Sequence, residues 1–248
     1  MLDLAKQKMA SLQSEGAFQE GSVQLLRSSY VDVGNILSQL GMPKVDRVLL
    51  DLGLSSDQLS DRERGFGFDA GGPLDMRFNP REGQPANELL SQWSQAEIAH
   101  VLREYGEDPD AERIAAEIVR RRNSGRRVVT AGDLENAVHS ATGGGRSQAG
   151  RQTRNPATRA FQALRIATNH ELQHVEQMMT TILPQILNDG GIAVILTFHS
   201  LEDRIVKNAL KGQQGWHVIH KTPIEATPAE IRLNPRSRSA KLRALQKI

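Results

Sequence analysis

Two stretches of the chain are dominated by apolar residues. They are VDRVLLDL at 45–52 and IAVILTF at 192–198. Apolar character of this length predicts strands that are buried on both faces, as in a parallel sheet. Shorter stretches predict three more strands, at Val23–Leu26, at Trp216–Lys221 and, from partial alternation of apolar and polar residues, at Ala240–Gln246. The sequence therefore predicts a sheet whose strands come from both ends of the chain.

Other segments repeat apolar residues every three or four positions, which predicts helices. These segments are residues 2–13, 30–40, 95–122 and 201–210. Thr130 with Asp133 is a capping-box pair that predicts the start of another helix. From the N-cap residue Asn155, helical spacing continues as far as Gly190, which predicts one long helix bent at Pro184.

The predicted elements thus form an α/β domain whose sequence is interrupted by a block of helices. We expect a first part of this domain at 1–68, an inserted helical domain at 69–155 and a second part at 156–248. The stretch GGGRSQAGRQTR, at 143–154, predicts a flexible basic linker at the end of the insertion.

Composition excludes several classes of protein. With no cysteine among 248 residues, the chain has no disulfides, thiol nucleophiles or cysteine-based zinc sites. The longest apolar run, 192–198, is far shorter than the roughly 20 residues that a membrane helix needs. MLDLAKQKM, at the start, lacks the apolar core of a secretory signal. A cytosolic location without membrane contact is expected.

The net charge is only +2, but the basic residues are clustered. Residues 120–127, 141–159 and 231–248 contain five, four and six lysines or arginines, and none contains an acidic residue. Each run by itself is typical of a solvated face or a helix end. Three such runs in a nearly neutral chain favour a nucleic-acid surface.

Polar residues follow the strand at 45–52. Ligands of parallel α/β sheets bind outside the carboxyl ends of the strands, which makes Asp51 a candidate site residue. An aspartate at this position also serves as a loop cap in many proteins, and the residue alone does not decide between these roles. Gly53 permits a turn closed to other residues, and Ser55, Ser56 and Gln58 add polar groups to the same loop.

The strand at 192–198 ends in LTFHSLEDR, which places His199 and Ser200 at a second strand end. Adjacent residues on a turn point apart, and no G-x-S-x-G elbow is present, so a serine hydrolase is not indicated. Ser200 with Asp203 predicts a helix cap. A metal site at His199 is disfavoured because no second histidine or carboxylate pair stands at ligand spacing. The chain also lacks Walker A and G-x-G-x-x-G sequences.

Four long motifs, in order, carry a family resemblance. DLGLSSDQLSDRERGFGFDAGGPLDMRF, NPATRAFQALRIATNHEL, TFHSLEDRIVK and NPRSRSAKLR closely resemble the bacterial 16S ribosomal RNA cytosine-N4 methyltransferases. The resemblance implies an S-adenosylmethionine-dependent enzyme with a class I (Rossmann-like) methyltransferase sheet and an inserted all-helical substrate domain. Its expected substrate is a decoding-centre cytosine of 16S rRNA, 1402 in the usual rRNA numbering, within a small-subunit particle.

The resemblance also assigns roles to single residues. Cofactor contacts carried over by position are Tyr30, where phenylalanine is usual, Asp51 and Gln58. For the pocket that accepts the hydrogen bonds of the cytosine amine, the candidates are Asp51, Ser55 and Ser56. The candidates for substrate binding, each of which could instead form an internal ion pair, are Arg64, Arg154, Arg159, Arg165, His199, Arg204, Arg236 and Arg238. No metal is expected.

This sequence departs from the family at its front. Two strands and a glycine-rich GGGGHS loop of the family have no counterpart before LDLAKQKM. The class I strand order is 3-2-1-4-5-7-6, so without strands 1 and 2 the segment Val23–Leu26 has no pairing partner and the strand at 45–52 becomes an exposed edge. Met1 is then either an internal methionine of a longer product, which the otherwise complete motifs favour, or the start of a non-catalytic RNA-binding paralogue.

Overall fold

The part of the chain that this computed structural model describes covers residues 2–16, 23–67, 71–143, 155–212 and 215–248. Residues 1–52 and 174–248 form one unit, here called the sheet unit, and residues 53–173 form a second, the helical unit. The helical unit extends beyond the predicted insertion, 69–155, at both ends. The predicted linker lies almost entirely outside the described residues.

Within the described residues the chain forms α-helices, five strands and short turns of other helix types. The helices are α1 (Leu2–Ser14), α2 (Val33–Gln39), α3 (Ser56–Ser60), α4 (Ala86–Gln92), α5 (Gln95–Gly106), α6 (Ala111–Asn123), α7 (Ala131–Thr142), α8 (Thr158–Asn169), α9 (Glu171–Gln177), α10 (Leu183–Ile186), α11 (Ser200–Gly212) and α12 (Pro228–Leu233). The strands are β1 (Val45–Asp51), β2 (Leu187–Thr197), β3 (Trp216–Val218), β4 (Ile224–Glu225) and β5 (Lys241–Lys247). Short 3₁₀ turns lie at Tyr30–Asp32, Arg62–Arg64 and Pro235–Ser239.

The sheet of the first unit is mixed. Its order is β1-β2-β5-β3, with β4 pairing β5. β1 and β2 are parallel, whereas β5 runs antiparallel to both β2 and β3. The α/β fold class is therefore confirmed, although the sheet is not wholly parallel. That these strands are numbers 4, 5, 7 and 6 of a class I sheet stays a prediction.

Burial alternates along β2, which places one face of the sheet in the core. Ala193, Ile195 and Thr197 are buried, and the residues between them are half-buried. The core of this unit adds α2 and the chain from α9 to α11. On β1, at the edge of the described sheet, Leu49 is 69% exposed. β1 is therefore not buried on both faces, in agreement with the exposed edge that was also predicted for 45–52, whereas the second face of β2 is half-buried.

The predicted strand Val23–Leu26 is wrong. The segment is not assigned to any strand, and its two end residues are 44% and 56% exposed. A strand is stabilised by hydrogen bonds to a neighbouring strand, and the described sheet offers this segment none. The lack of a pairing partner agrees with the prediction made above from the class I strand order.

The long helix predicted from Asn155 to Gly190 is divided into several pieces. His170 adopts a left-handed backbone conformation, with φ of 52°, and ends α8. A π-helical turn follows α9 at Met178–Ile182, and β2 already begins at Leu187. In this first part of β2 the pairing shifts, because Leu187 lies opposite Val45 but Ile192 lies opposite Arg47.

Glycine permits that shift. Gly190 has φ of 77°, which L side chains rarely adopt. A Cβ on Gly191 would lie 2.7 Å from the backbone oxygen of Asn188 and 2.8 Å from the Leu187 side chain. The two glycines that predicted a helix end therefore form a bulge inside a strand.

The helical unit packs α4 to α8 around one apolar core. Gly106 allows α5 to approach α8 closely, since a Cβ there would lie 2.8 Å from the backbone oxygen of Arg159. The capping box of Thr130 and Asp133 is confirmed at the start of α7. No helix in the described ranges is both long enough and apolar enough to cross a membrane.

Candidate functional site

Three chain segments of the sheet unit meet at one edge of its sheet. β1 and β2 run side by side to their carboxyl ends, where Asp51 lies opposite Leu196. β5 enters from the same edge in the opposite direction, with Lys241 opposite Thr197. The residues after β1, after β2 and before β5 are therefore neighbours. We call this the carboxyl edge.

At the end of β1, Asp51 is exposed and forms no ion pair or side-chain hydrogen bond with another described residue. The backbone turns directly afterwards, because Gly53 has φ of 93°. A carboxylate that the protein leaves unpaired at this edge can accept hydrogen bonds from hydroxyl or amine groups of a ligand.

Tyr30 belongs to the same unit, at the start of the turn before α2. Its half-buried ring meets the His174 ring edge-on, with 6.2 Å between the ring centroids. This geometry is favourable for aromatic pairs and fixes the orientation of the tyrosine. The predicted contact of this ring with adenine stays a prediction.

Ser55 and Gln58, in the helical unit, form a capping box at the start of α3. Ser55 Oγ accepts a hydrogen bond from the Gln58 backbone N–H at 3.1 Å, and Gln58 Oε1 accepts one from the Ser55 N–H at 3.0 Å. Ser56, the first residue of α3, is exposed. Two predicted site residues thus also stabilise the local helix.

The loop after α3 is held together largely by Arg64. Its guanidinium donates hydrogen bonds to the carbonyls of Arg77 and Phe78 and lies 5.3 Å from the centre of the Phe66 ring. The backbone oxygen of Arg64 also accepts from Met76 N–H at 2.9 Å. The side chain predicted to contact phosphate is therefore an internal clamp of its own loop.

At the end of β2, Glu202 stabilises the turn into α11. The nearly fully buried carboxylate accepts hydrogen bonds from the backbone N–H groups of Phe198 at 2.8 Å and His199 at 3.3 Å. The predicted acidic partner in this cap was Asp203, one residue later. Sequence reasoning missed Glu202, although its position three residues after His199 is the spacing of a capping box.

His199 is held by the same residue. Its Nδ1 accepts a hydrogen bond from the Glu202 N–H at 3.3 Å, so the proton of the neutral ring is on Nε2. Nε2 lies 3.1 Å from Glu202 Oε1, within ion-pair distance but not aligned as a hydrogen bond. A carboxylate therefore stands beside this histidine at the carboxyl edge.

Asp203 joins α11 to β5 through a buried ion pair. Its two carboxylate oxygens lie 2.6 and 3.1 Å from Nε and a terminal nitrogen of Arg243, and Lys241 Nζ is 3.5 Å away. Burial raises the pKa of Asp203, but the hydrogen bonds and charge of Arg243 outweigh it and hold the pKa below its ordinary value. This pair fixes the start of α11 against the strand beside it.

The sequence profile of the MraW methylase family matches residues 1–248. The chain belongs to the MraW methylase family. A protein of Sorangium cellulosum named ribosomal RNA small subunit methyltransferase H is 42% identical over 226 residues, which are 91% of this chain and 70% of that protein. A protein of the same name from Pseudothermotoga lettingae is 37% identical over 247 residues, which are 100% of this chain and 81% of that protein. The resemblance inferred from the motifs is confirmed.

In this MraW family member, the arginines predicted to bind substrate divide into three groups. Arg165 is paired with buried Glu171 at 2.8 and 3.0 Å, and Arg159 is exposed on α8, both in the helical unit. Arg204, at the start of α11, is exposed in the sheet unit. Arg154 lies outside the described residues.

The last two of these arginines, Arg236 and Arg238, are exposed in the 3₁₀ turn that leads into β5. Their turn therefore lies at the carboxyl edge, as does His199. Thus the fold places candidates from distant parts of the sequence at the edge that also contains Asp51. Their roles in binding substrate stay predictions.

Proposed function

We propose that this protein transfers a methyl group from S-adenosylmethionine to 16S rRNA, at the exocyclic N4 amine of cytosine 1402. Support comes from membership of the MraW methylase family and from relatives named ribosomal RNA small subunit methyltransferase H. The observation that carries the proposal is the unpaired carboxylate of Asp51, at the end of a parallel strand where such folds bind ligands.

The residues at this edge fit the proposed cofactor. S-adenosylmethionine carries hydroxyl groups, an amine and an adenine ring, together with the electrophilic methyl group that it supplies when bound. Asp51 offers an acceptor for its hydrogen-bond donors, and Tyr30 offers a half-buried aromatic ring in the same unit. Gln58 is the third residue that the family resemblance assigns to the cofactor.

The target amine sets the chemical task of the site. Its lone pair is delocalised into the cytosine ring, so the amine is a poor nucleophile. An acceptor that holds its hydrogens directs the lone pair toward the methyl group. It then takes the proton that the amine loses as the new N–C bond forms and the S–CH₃ bond breaks, with S-adenosylhomocysteine as the leaving group. Asp51 is the proposed acceptor, and the hydroxyls of Ser55 and Ser56 are proposed to orient the amine.

The cytosine must leave its stack to be reached. Tryptophan and tyrosine number two each in the whole chain, so stacking on aromatic side chains is scarce. Contacts to phosphates and to RNA shape are then the main means of recognition, which suits a small-subunit particle better than a short single strand.

The test is transfer of labelled methyl groups from S-adenosylmethionine to 16S rRNA, alone and in small-subunit particles, followed by mapping of the modified nucleoside. Asp51→Asn should lower the rate by roughly 10²-fold or more, since an acid–base group contributes about 10²–10⁴. Asp46→Asn, at the other end of β1, is the matched control and should retain full activity. Incorporation at another atom, or equal rates for both variants, would contradict the proposal.

A further inference from the structure

An apolar side chain projects into solvent among cations in the segment between β4 and β5. Leu233, at the end of α12, is 89% exposed, the highest value among the large hydrophobic residues of the described ranges. Arg232 beside it and Arg238 nearby are also exposed, and neither forms an ion pair or side-chain hydrogen bond with another described residue. An exposed apolar tip between free guanidinium groups suggests a partner with both apolar and anionic surfaces.

Leu233 lies in a segment, residues 227–237, that several hydrogen bonds hold together and that we call the platform. Thr227 Oγ1 caps α12 by accepting from Glu230 N–H at 3.2 Å, and Asn234 N–H donates to Glu230 O at 2.7 Å. Behind it, the buried Ser237 donates through its hydroxyl to Asn234 O at 2.7 Å. Leu233 is therefore held in an exposed position by the hydrogen bonds on either side of it.

The chain after this platform passes through the turn at Pro235–Ser239 to the carboxyl edge of the sheet. Lys241 begins β5 opposite Thr197, so the residues just before it lie at the carboxyl edge, where β1 ends in Asp51. No acidic residue occurs in 231–248. A polyanion is thus favoured over a protein groove as the partner of this segment.

We propose that Leu233 is a wedge that enters the base stack of the substrate RNA beside the target cytosine, while Arg232 and Arg238 hold the adjacent phosphates. Apolar side chains inserted between base steps unstack them in other nucleic-acid complexes, and leucine is among those used. A base that is to be modified must be extruded, and a wedge lowers the cost by occupying the gap. This proposal rests on the proposed function because it takes the RNA substrate from it, but it does not require that methyl transfer occurs.

The experiment uses an RNA hairpin with 2-aminopurine next to the target cytosine, since its fluorescence rises when the base unstacks. The full chain is added without cofactor, and affinity is measured in parallel by anisotropy. Leu233→Ala should reduce the fluorescence rise at saturation at least threefold, and Leu233→Met should restore it. Ile248→Ala removes another exposed apolar side chain, 75% exposed at the opposite end of β5, and should behave like the unchanged protein.

The outcomes separate the wedge from the proposed function. An unchanged fluorescence rise in Leu233→Ala, or no rise with the unchanged protein, overturns the wedge. If Leu233→Ala weakens affinity but reaches the full rise at saturation, Leu233 is a contact and not a wedge. Absence of methyl transfer by the unchanged protein would refute the proposed function and leave the fluorescence result standing.

Discussion

Two basic segments of the chain look alike in sequence and have different roles in the structure. Residues 120–127, at the end of α6, contain five arginines, and residues 231–248 contain six lysines and arginines. In the first segment, Arg120 and Arg121 both bind Glu117, at 2.7 and 2.8 Å. A carboxylate just before the run thus neutralises part of its charge within the helix.

The second segment divides its cations between the interior and the surface. Arg243 is buried against Asp203, and Lys247 lies 3.2 Å from Asp189 and donates to two backbone carbonyls. Arg232 and Arg238 remain exposed. A count of cations therefore overstates the surface available to RNA, because carboxylates far away in sequence fold back onto such runs. In the second segment, the exposed arginines Arg232 and Arg238 are therefore the candidates for contact with RNA.

The buried pair should give the largest effect on stability. Arg243→Met leaves the buried Asp203 carboxylate with Lys241, 3.5 Å away, as its remaining charged partner, and removing one partner of a buried ion pair costs about 3–5 kcal/mol. Urea unfolding of the full chain measures this, with Arg238→Met as the control, expected within about 0.5 kcal/mol of the unchanged protein. Similar unfolding midpoints for both variants would show that the two classes of arginine do not differ.

Arg122 tests the interior role of the first segment. One terminal nitrogen of its guanidinium lies 2.7 to 3.1 Å from the carbonyls of Leu90, Ser91 and Trp93, which end α4. Arg122→Ala leaves these carbonyls without the donor, and we expect a loss of about 2 kcal/mol, typical of charged hydrogen bonds. The exposed Arg127, changed to alanine, is the matched control. Equal stability of both variants would contradict the interior assignment.

Strand identity was largely predictable because it depends on local composition. The positions of β1 and β5, and most of β2, follow from apolar residues that are adjacent in sequence. The strand predicted at Val23–Leu26 did not form because pairing is a long-range property that a short apolar run does not contain; the missing partner was predicted only from the strand order of the family. The breaks in the predicted long helix depend on the left-handed backbone of His170 and on a π turn at Met178–Ile182, neither of which was predicted from the residue types.

The candidate site was predictable only in part, for the same reason. A strand-end aspartate and a strand-end histidine were visible as Asp51 and His199, because strand ends can be located from sequence. That Arg64 would clamp its own loop depends on where the carbonyls of residues 77 and 78 fall in space. Asp203 and its buried partner Arg243 are 40 residues apart, so no local sequence pattern predicts that they form an ion pair.

The exposed arginines should act on RNA affinity instead of stability. Changing Arg232 and Arg238 together to alanine removes two phosphate contacts, which should lower the salt slope of RNA binding by about 1.5 and the affinity by roughly tenfold. The comparison variant, Arg120→Ala with Arg121→Ala, removes two cations that Glu117 already neutralises. Filter binding over a range of salt concentrations measures both. A larger loss in the second variant would reverse the comparison between the two segments.

The smallest effect concerns the pH dependence of the first segment. Hydrogen bonds from Arg120 and then Arg121 lower the pKa of Glu117 from 4.5 to about 2. A carboxyl whose pKa is lower in the folded state stabilises the fold above about pH 4.5, and this contribution disappears as the pH falls toward 2. Arg120 is 58% exposed, so solvent weakens the pairing and limits the contribution to about 1 kcal/mol.

The difference in unfolding free energy between the unchanged protein and Glu117→Gln should therefore be present at pH 7 and shrink steadily below pH 4.5. Glu104→Gln, at an exposed carboxyl of α5 that forms no ion pair with another described residue, controls for general acid destabilisation. A difference that stays constant from pH 7 to pH 3 would mean that Glu117 stabilises the helix without its charge. The arginines of the first segment would then be as available to an anionic partner as those of the second.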